Sequence, residues 1–504
     1  MSADQTKDGI AEPSKWLFWT CFVALVATSF GFIIRTQVIG DWQVVFNLSE
    51  TQKGELLGVG LWPFALSIIL FSLVIDKIGY GRALFFALIC HVTSAIITIT
   101  ANGYQTLYWG TFILAIGNGI VESVINPVVA TVYSREKTKW LNILHAGWPG
   151  GMVVGGILIL FLIPNLGWQW KVGLVLIPAA VYGFMMMRAT FPVHERVSAG
   201  VSYKEMLQEM GIIGALIVVS IAIAEIGRIF GWSLLVKVLV VLLLVILFGI
   251  YVRKLGQPLF IFLLLIMLPL ATTELGTDSW ISDLVTPVME KVGISGGWVL
   301  VYTAFLMMIL RSYAGPVLKR LNPLSLLATC SVIAIIGLFL LSKSAGLLIF
   351  VAATIYAVGK SFFWPTMLGV TAEQFPKGGA LTLNAMSGMG MLSVGVIGAV
   401  FLGHIQDNAV DKYLSTANPS LYDQVVAEEK VSVFGIYNTL DQTKVAALPE
   451  EDKLVVDKVT AVAKKKALST VAVFPLIMLI CYVVLMIYFR SRGGYKPVEI
   501  GGGT

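Results

Sequence analysis

Between Trp16 and Ile39 the chain carries one charged residue, Arg35, and shows no alternation of apolar and polar positions. Runs of the same kind recur almost to the last residue. A bilayer core about 30 Å thick is crossed by about 20 helical residues, and in lipid only helices and closed barrels satisfy every backbone polar group. Continuous apolar stretches without a period of two therefore predict spanning helices, near 16–39, 54–75, 83–100, 107–133, 141–163, 171–189, 211–229, 231–252, 258–285, 297–318, 323–342, 346–370, 379–404 and 467–489. The fourteen fall as six, two and six. This divides the chain into a six-helix bundle over 1–195, a linker with two inserted helices over 196–256, and a second six-helix bundle over 257–504. A polar stretch at about 405–465 precedes the last helix and reads as an external cap or a mobile loop. The expected fold class is all-α integral membrane.

Lys and Arg in short loops set the orientation of such a chain. With the N-terminus in the cytoplasm, the inside segments hold eighteen of them and the short outside segments five, Lys53, Lys171, Arg228, Lys291 and Lys343. Both termini are thus expected on the cytoplasmic face of a plasma membrane or bacterial inner membrane, and the first apolar stretch reads as a span, not a cleaved signal. Composition agrees. Of 504 residues 57% are hydrophobic and 13% charged, about half the roughly 25% charge of soluble domains, which excludes a soluble multidomain enzyme. The net charge of +6 is spread over loops and forms no patch for nucleic acid. Cys21, Cys90, Cys330 and Cys481 stand singly in apolar runs, without the spacing of a zinc site or a disulfide framework. There is no Walker sequence and no clustered nucleophile, base or metal set, so the expectation is a protein that is not an enzyme and uses no cofactor, metal or ATP.

The two six-helix sets share punctuation. INPVVATVY followed by LNILHAGWPGGMVVG in the first answers FWPTMLGVTAEQF followed by LNAMSGMGMLSVG in the second, so that Pro127 matches Pro365 and Asn142 matches Asn384. Duplicated halves of this kind bind ligand near the membrane midplane, at the line between them.

At the end of the second span stands Asp76-Lys77-Ile78-Gly79-Tyr80-Gly81-Arg82. It resembles the G-x-x-x-D-R/K-x-G-R/K-R/K signature of the major facilitator superfamily, with Ser72 in place of the first Gly and Tyr80 in place of a basic residue. The resemblance implies two six-helix bundles and a latch at the cytoplasmic face built on Asp76, Lys77 and Arg82. Further residues resemble the fucose/galactose/glucose:proton symporter family: Phe46-Asn47-Leu48-Ser49 with Gln52 and Gly54, Glu122 to Pro127, Leu141-Asn142, Glu274 to Trp280, and Arg311-Ser312-Tyr313-Ala314-Gly315 with Lys319, Arg320 and Pro323. That likeness covers both bundles and leaves out the inserted pair and the 405–465 stretch. It implies a central cavity lined by the first and fourth helices of each set, with Glu122 as a proton-coupling and substrate-contacting carboxylate and His145 in the place of a sugar-binding Gln. It makes Arg311 a structural residue of the cytoplasmic side. The family's carboxylate in the first helix falls near Thr36, next to Arg35.

An ionisable group at mid-membrane costs about 3 kcal/mol or more and is by default a functional-site hypothesis. The mid-span set is Arg35, Glu122, His145, Glu274, Asp278, Arg311 and Lys360, with His91 and Lys237 as lesser members, Lys237 being near a helix end. Glu122 is either a proton carrier or a static partner of Arg35. His145 can donate and accept at once, as a hydroxyl requires, or it packs on Trp148. Trp280 and Trp364 lie deep enough to stack on a pyranose or simply to pack. Lys360 neutralises Glu274 or Asp278, or joins Arg35 in holding an anion. With Asn126 and Asn384 these form the candidate substrate site. The function expected is secondary active transport by alternating access, a hexose-like sugar moving with a proton (sodium being the other coupling ion), carried out by a monomer in the lipid bilayer. A carrier of an anionic metabolite or sugar acid, and a sensor that binds without transporting, are the alternatives.

Overall fold

The computed structural model describes residues 14–46, 48, 56–163, 165–426, 429–432 and 435–499. Among them, thirteen helices are long and apolar enough to cross a membrane, and the shorter apolar helix Gly297–Ser312 completes the fourteen expected. In chain order they are α1 (Lys15–Phe46), α2 (Leu56–Ile78), α3 (Tyr80–Ile99), α4 (Tyr104–Val132), α5 (Ser134–Phe161), α6 (Trp168–Met186), α7 (Tyr203–Ile229), α8 (Leu234–Val252), α9 (Pro258–Ser282), α10 (Gly297–Ser312), α11 (Pro323–Lys343), α12 (Leu348–Gln374), α13 (Pro376–Ala417) and α14 (Glu450–Arg490). Asn47, Ser49, Gln52 and Gly54 of the symporter-like pattern lie outside the described residues.

The halves meet along two matched seams. The second helix of each set packs on the fifth of the other, α2 on α13 and α10 on α5, as a duplicated fold requires. Small residues bring the helices close, because association in lipid depends on packing and not on a hydrophobic drive. A Cβ on Gly388 of α13 would come within 2.5 Å of Ile69 in α2, and one on Gly150 of α5 within 3.3 Å of Met308 in α10.

Proline and threonine together shape α9. Pro269 interrupts its hydrogen-bond ladder, and the hydroxyls of Thr272 and Thr273 donate back to Leu268 O (2.9 Å) and Pro269 O (2.7 Å). The turn that follows, Thr272–Gly276, is a π-helix. Such turns are frequent at functional sites, and this one carries Glu274.

Two regions depart from the sequence reading. The first inserted helix begins at Tyr203, not near 211, because a capping box between Ser202 and Glu205 starts it in a polar stretch that hydropathy alone passes over. It bends at Gly211, where φ is 63° and a Cβ would lie 2.1 Å from the Gly256 nitrogen. Its partner α8 is apolar nearly all round and only 11% of its most apolar window is buried, so it faces outward. The second region is the polar stretch after 405, which is folded. Helices α13 and α14 run on through Ala417 and from Glu450, and between them lie short helices at Pro419–Val425 and Gln442–Ala446 and a hairpin, Lys430–Ser432 with Gly435–Tyr437. Leu414, Leu421, Val425, Leu448 and Val456 give this cap a small core of its own. Its apolar residues are spaced for one face of short amphipathic helices, a pattern that a search for continuous apolar runs does not register.

Candidate functional site

Proline has no N–H, so the carbonyl four residues before it loses its helical partner. Three carbonyls freed in this way lie at the centre of the molecule, and a side chain answers each. Pro127 frees Ser123 O, which accepts from Asn384 Nδ2 at 3.1 Å. Pro149 frees His145 O, which accepts from Arg311 Nη1 at 3.0 Å. Pro365 frees Ser361 O, which accepts from Arg311 Nε at 2.6 Å. The first two bonds join the halves, from α13 to α4 and from α10 to α5. The sequence reading counted Arg311 among the mid-span charges and read it as a structural residue of the cytoplasmic side; it is 1% exposed and ties the two halves together at the centre. The overlooked signal was the three prolines, since each demands a donor from elsewhere.

The remaining nitrogen of Arg311 reaches Glu274 Oε1 at 2.5 Å, and Glu274 Oε2 accepts from the Trp364 backbone N–H at 3.0 Å, where α12 restarts before Pro365. Lys360, fully buried, pairs with Asp278 and lies 5.2 Å from the Tyr356 ring centroid. Both buried cations of the second half therefore have a carboxylate each.

The first half differs. Glu122, 2% exposed, makes no ion pair among the described residues. It accepts from Asn126 Nδ2 at 3.2 Å, and Asn126 Oδ1 lies 2.9 Å from His145 Nε2, so one hydrogen-bonded chain runs from α4 to α5. The pairing of Arg35 with Glu122 considered above does not form. The Arg35 guanidinium lies against Gly60 at the start of α2, where a Cβ would be 2.0 Å from Nη1; the missing side chain admits it there. Trp280 sits beside Gly403, and the Trp364 ring lies over Gly390, so both indoles are seated on glycines of α13. Asn384 Oδ1 is buried with no hydrogen-bond partner among the described residues.

The profile of the Major Facilitator Superfamily matches residues 16–399. The chain belongs to the Major Facilitator Superfamily. Among solved structures of the superfamily, the fucose:proton symporter FucP of E. coli is 13% identical, with a TM-score of 0.56 over 92% of this chain and 98% of that one. The human organic anion transporter MFSD10 is 12% identical, with a TM-score of 0.61 over 93% and 99%. At these identities the likeness is one of fold. By sequence, the cis,cis-muconate transport protein of Acinetobacter baylyi is 26% identical over 168 residues, 32% of this chain. The chain spans about 40% of the length of the curated relatives it matches first.

The superfamily signature loop is tied to the segment that follows α6 and to the start of α7, and not, among the described residues, to the second half. Gly79 takes φ 90° and ends α2, which leaves Asp76 at the helix terminus. Asp76 pairs with Arg196 of the segment after α6, a residue the sequence reading did not single out. Of the other expected latch residues, Lys77 lies over the Tyr203 ring at 5.5 Å and Arg82 is exposed. The ties between halves at this end come from another place. Glu373 of α12 accepts from Thr138 N (3.2 Å) and Oγ1 (2.5 Å) in α5, and from Tyr495 OH (2.6 Å) in the C-terminal segment. Lys137 joins Glu195 at 2.7 Å and donates to Ala372 O at 3.3 Å. Among these charges His194 is driven down to about 4, chiefly by burial, while Asp76 pulls it up and Arg196 and Lys137 push it down.

Proposed function

We propose that this superfamily member is a proton-coupled symporter of a hexose-like sugar, with bundles over 1–195 and 257–504, the inserted pair over 196–256 outside the transport path, and both termini cytoplasmic. The observation that carries the reading is the charge balance at the centre. Lys360 is matched by Asp278 and Arg311 by Glu274, which leaves neutral hydrogen-bonding groups, Asn126, His145 and Asn384, beside one carboxyl, Glu122, that is unpaired among the described residues. Neutral donors and acceptors suit sugar hydroxyls. A carboxyl that is not tied to a cation can take and release a proton without breaking an ion pair, so a change in its surroundings as the cavity switches sides couples the proton to the cycle.

A second reading, transport of a small carboxylate, is favoured by Arg35, which has no carboxylate partner among the described residues, and by the substrates named for the muconate and organic anion carriers. Purified protein in proteoliposomes tests both. Glu122→Gln is expected to abolish uphill uptake driven by an inward proton gradient while exchange across the membrane persists. Accumulation by the mutant under the same gradient moves coupling elsewhere. Competition by a sugar and its matching uronic acid separates the two substrates, and preference for the acid sinks the hexose reading. Saturable binding without flux indicates a sensor.

A further inference from the structure

A second buried polar cluster lies inside the first bundle, apart from the Glu122 chain. Helices α1, α3, α4 and α6 line a small, partly open cavity. Its walls are mostly apolar. Arg35 and Trp42 line it at 5% and 2% exposure, and neither Arg35 Nε nor Trp42 Nε1 has a hydrogen-bond partner among the described residues. Thr98 and Thr111 add hydroxyls, while Ser94 gives its proton to Gly110 O at 2.6 Å, and no Asp or Glu is among the described lining residues.

A buried guanidinium without a counter-charge is costly. The Phe32 ring, 5.9 Å away, offsets only a small part of that cost. The neighbouring ion pair, Asp41 with Lys171 at 3.1 Å, is neutral within itself and supplies no spare charge. Among the described residues the cavity offers one cation and an indole N–H, with the Thr98 and Thr111 hydroxyls beside them, in a mostly apolar wall. The chemistry is that of a site for a single negative charge on a compact body.

We propose that this cavity binds a small monovalent anion, of the size of chloride or formate, between the Arg35 guanidinium and the Trp42 indole N–H. The site is separate from the Glu122, Asn126 and His145 chain, and it rests on the sugar reading, in which Arg35 does not hold the transported substrate. It gives Arg35 its counter-ion without Glu122, so the carboxyl on α4 stays free to titrate. Gly60 is part of the device, because any side chain there takes the space the guanidinium occupies.

The test uses the full-length protein in nanodiscs of uncharged lipid, held in sodium gluconate and titrated at constant ionic strength with chloride, bromide, formate, benzoate or sulfate. The melting temperature is expected to rise saturably with chloride, bromide and formate and to stay flat with benzoate and sulfate. Arg35→Gln and Gly60→Ala are both expected to lose the response. Gly60→Ala keeps every charge and displaces only the guanidinium, so it serves where Arg35→Gln lowers folding yield. Crystals soaked in bromide are expected to give an anomalous peak between Arg35 and Trp42. A flat wild-type response overturns the proposal, as does an equal response to benzoate, an unchanged response in Gly60→Ala, or a bromide peak elsewhere.

Discussion

Five residues before its central proline each half carries an ionisable group, Glu122 before Pro127 in α4 and Lys360 before Pro365 in α12. The duplicated frame puts them in matching places, and their surroundings then diverge. Lys360 is closed into an ion pair with Asp278, with Arg311 and Glu274 paired close by. Glu122 has only neutral hydrogen-bond partners among the described residues. The same divergence appears in the carbonyls the prolines release. Asn384 answers Ser123 O across the seam, whereas its counterpart Asn142 donates to Thr138 O and Thr366 Oγ1 and leaves Ser361 O to Arg311. One half is thus electrostatically tied, and the other keeps a group that can change its proton. Duplication supplies the geometry, and the asymmetry between copies leaves Glu122 without an ion pair among the described residues.

The comparison is most exposed to removal of Arg311. Arg311→Met strands a buried carboxylate and two freed carbonyls, and breaking a buried pair from one side costs about 3–5 kcal/mol. Chemical unfolding of purified protein is expected to register a loss of that size. Adding Glu274→Gln to the same chain recovers a good part of it; a single mutant as stable as wild type removes the idea of a tied half.

Next in size is Asn384→Leu. It leaves Ser123 O without a donor, at a cost of about 1–3 kcal/mol. Pro127→Ala restores an N–H four residues after that carbonyl and is expected to reduce the cost of the Leu change in a double-mutant cycle. Strictly additive effects break the proline argument.

The closed end responds to acid more gently. His194 titrates at about 4 in the folded protein, against about 6.5 for an unperturbed His, so the unfolded chain binds the extra proton first. Its contribution to stability is complete above about pH 6.5 and is lost as pH falls toward 4, with a slope of at most about 1.4 kcal/mol per pH unit. His194→Gln is expected to flatten the melting temperature between those values, and an unchanged slope shows that other groups carry it.

The smallest effect is expected at Glu122. Gln keeps the bond to Asn126, and with no ion pair to break the stability of Glu122→Gln stays within about 0.5 kcal/mol of wild type. A loss as large as that of Arg311→Met makes the first half as tied as the second.

Much of the fold was legible from hydropathy alone, since lipid admits one kind of open backbone and a span must be apolar for about 20 residues. Six, two and six helices, the matched Pro and Asn positions and the signature loop all follow from that constraint or from local spacing. For Lys360 the sequence left two readings, a carboxylate partner at Glu274 or Asp278 and a shared anion with Arg35, and the fold pairs it with Asp278. The partners of buried charges were not legible, because they depend on which faces of distant helices meet. Arg311 lies 166 residues from the His145 carbonyl it holds, and Arg35 turned from Glu122 because a glycine on α2 left room for it. A residue's need for a partner is written in its own chemistry and in the prolines around it; which partner answers is decided only when the halves pack, by a hydrogen bond that tolerates a few tenths of an ångström.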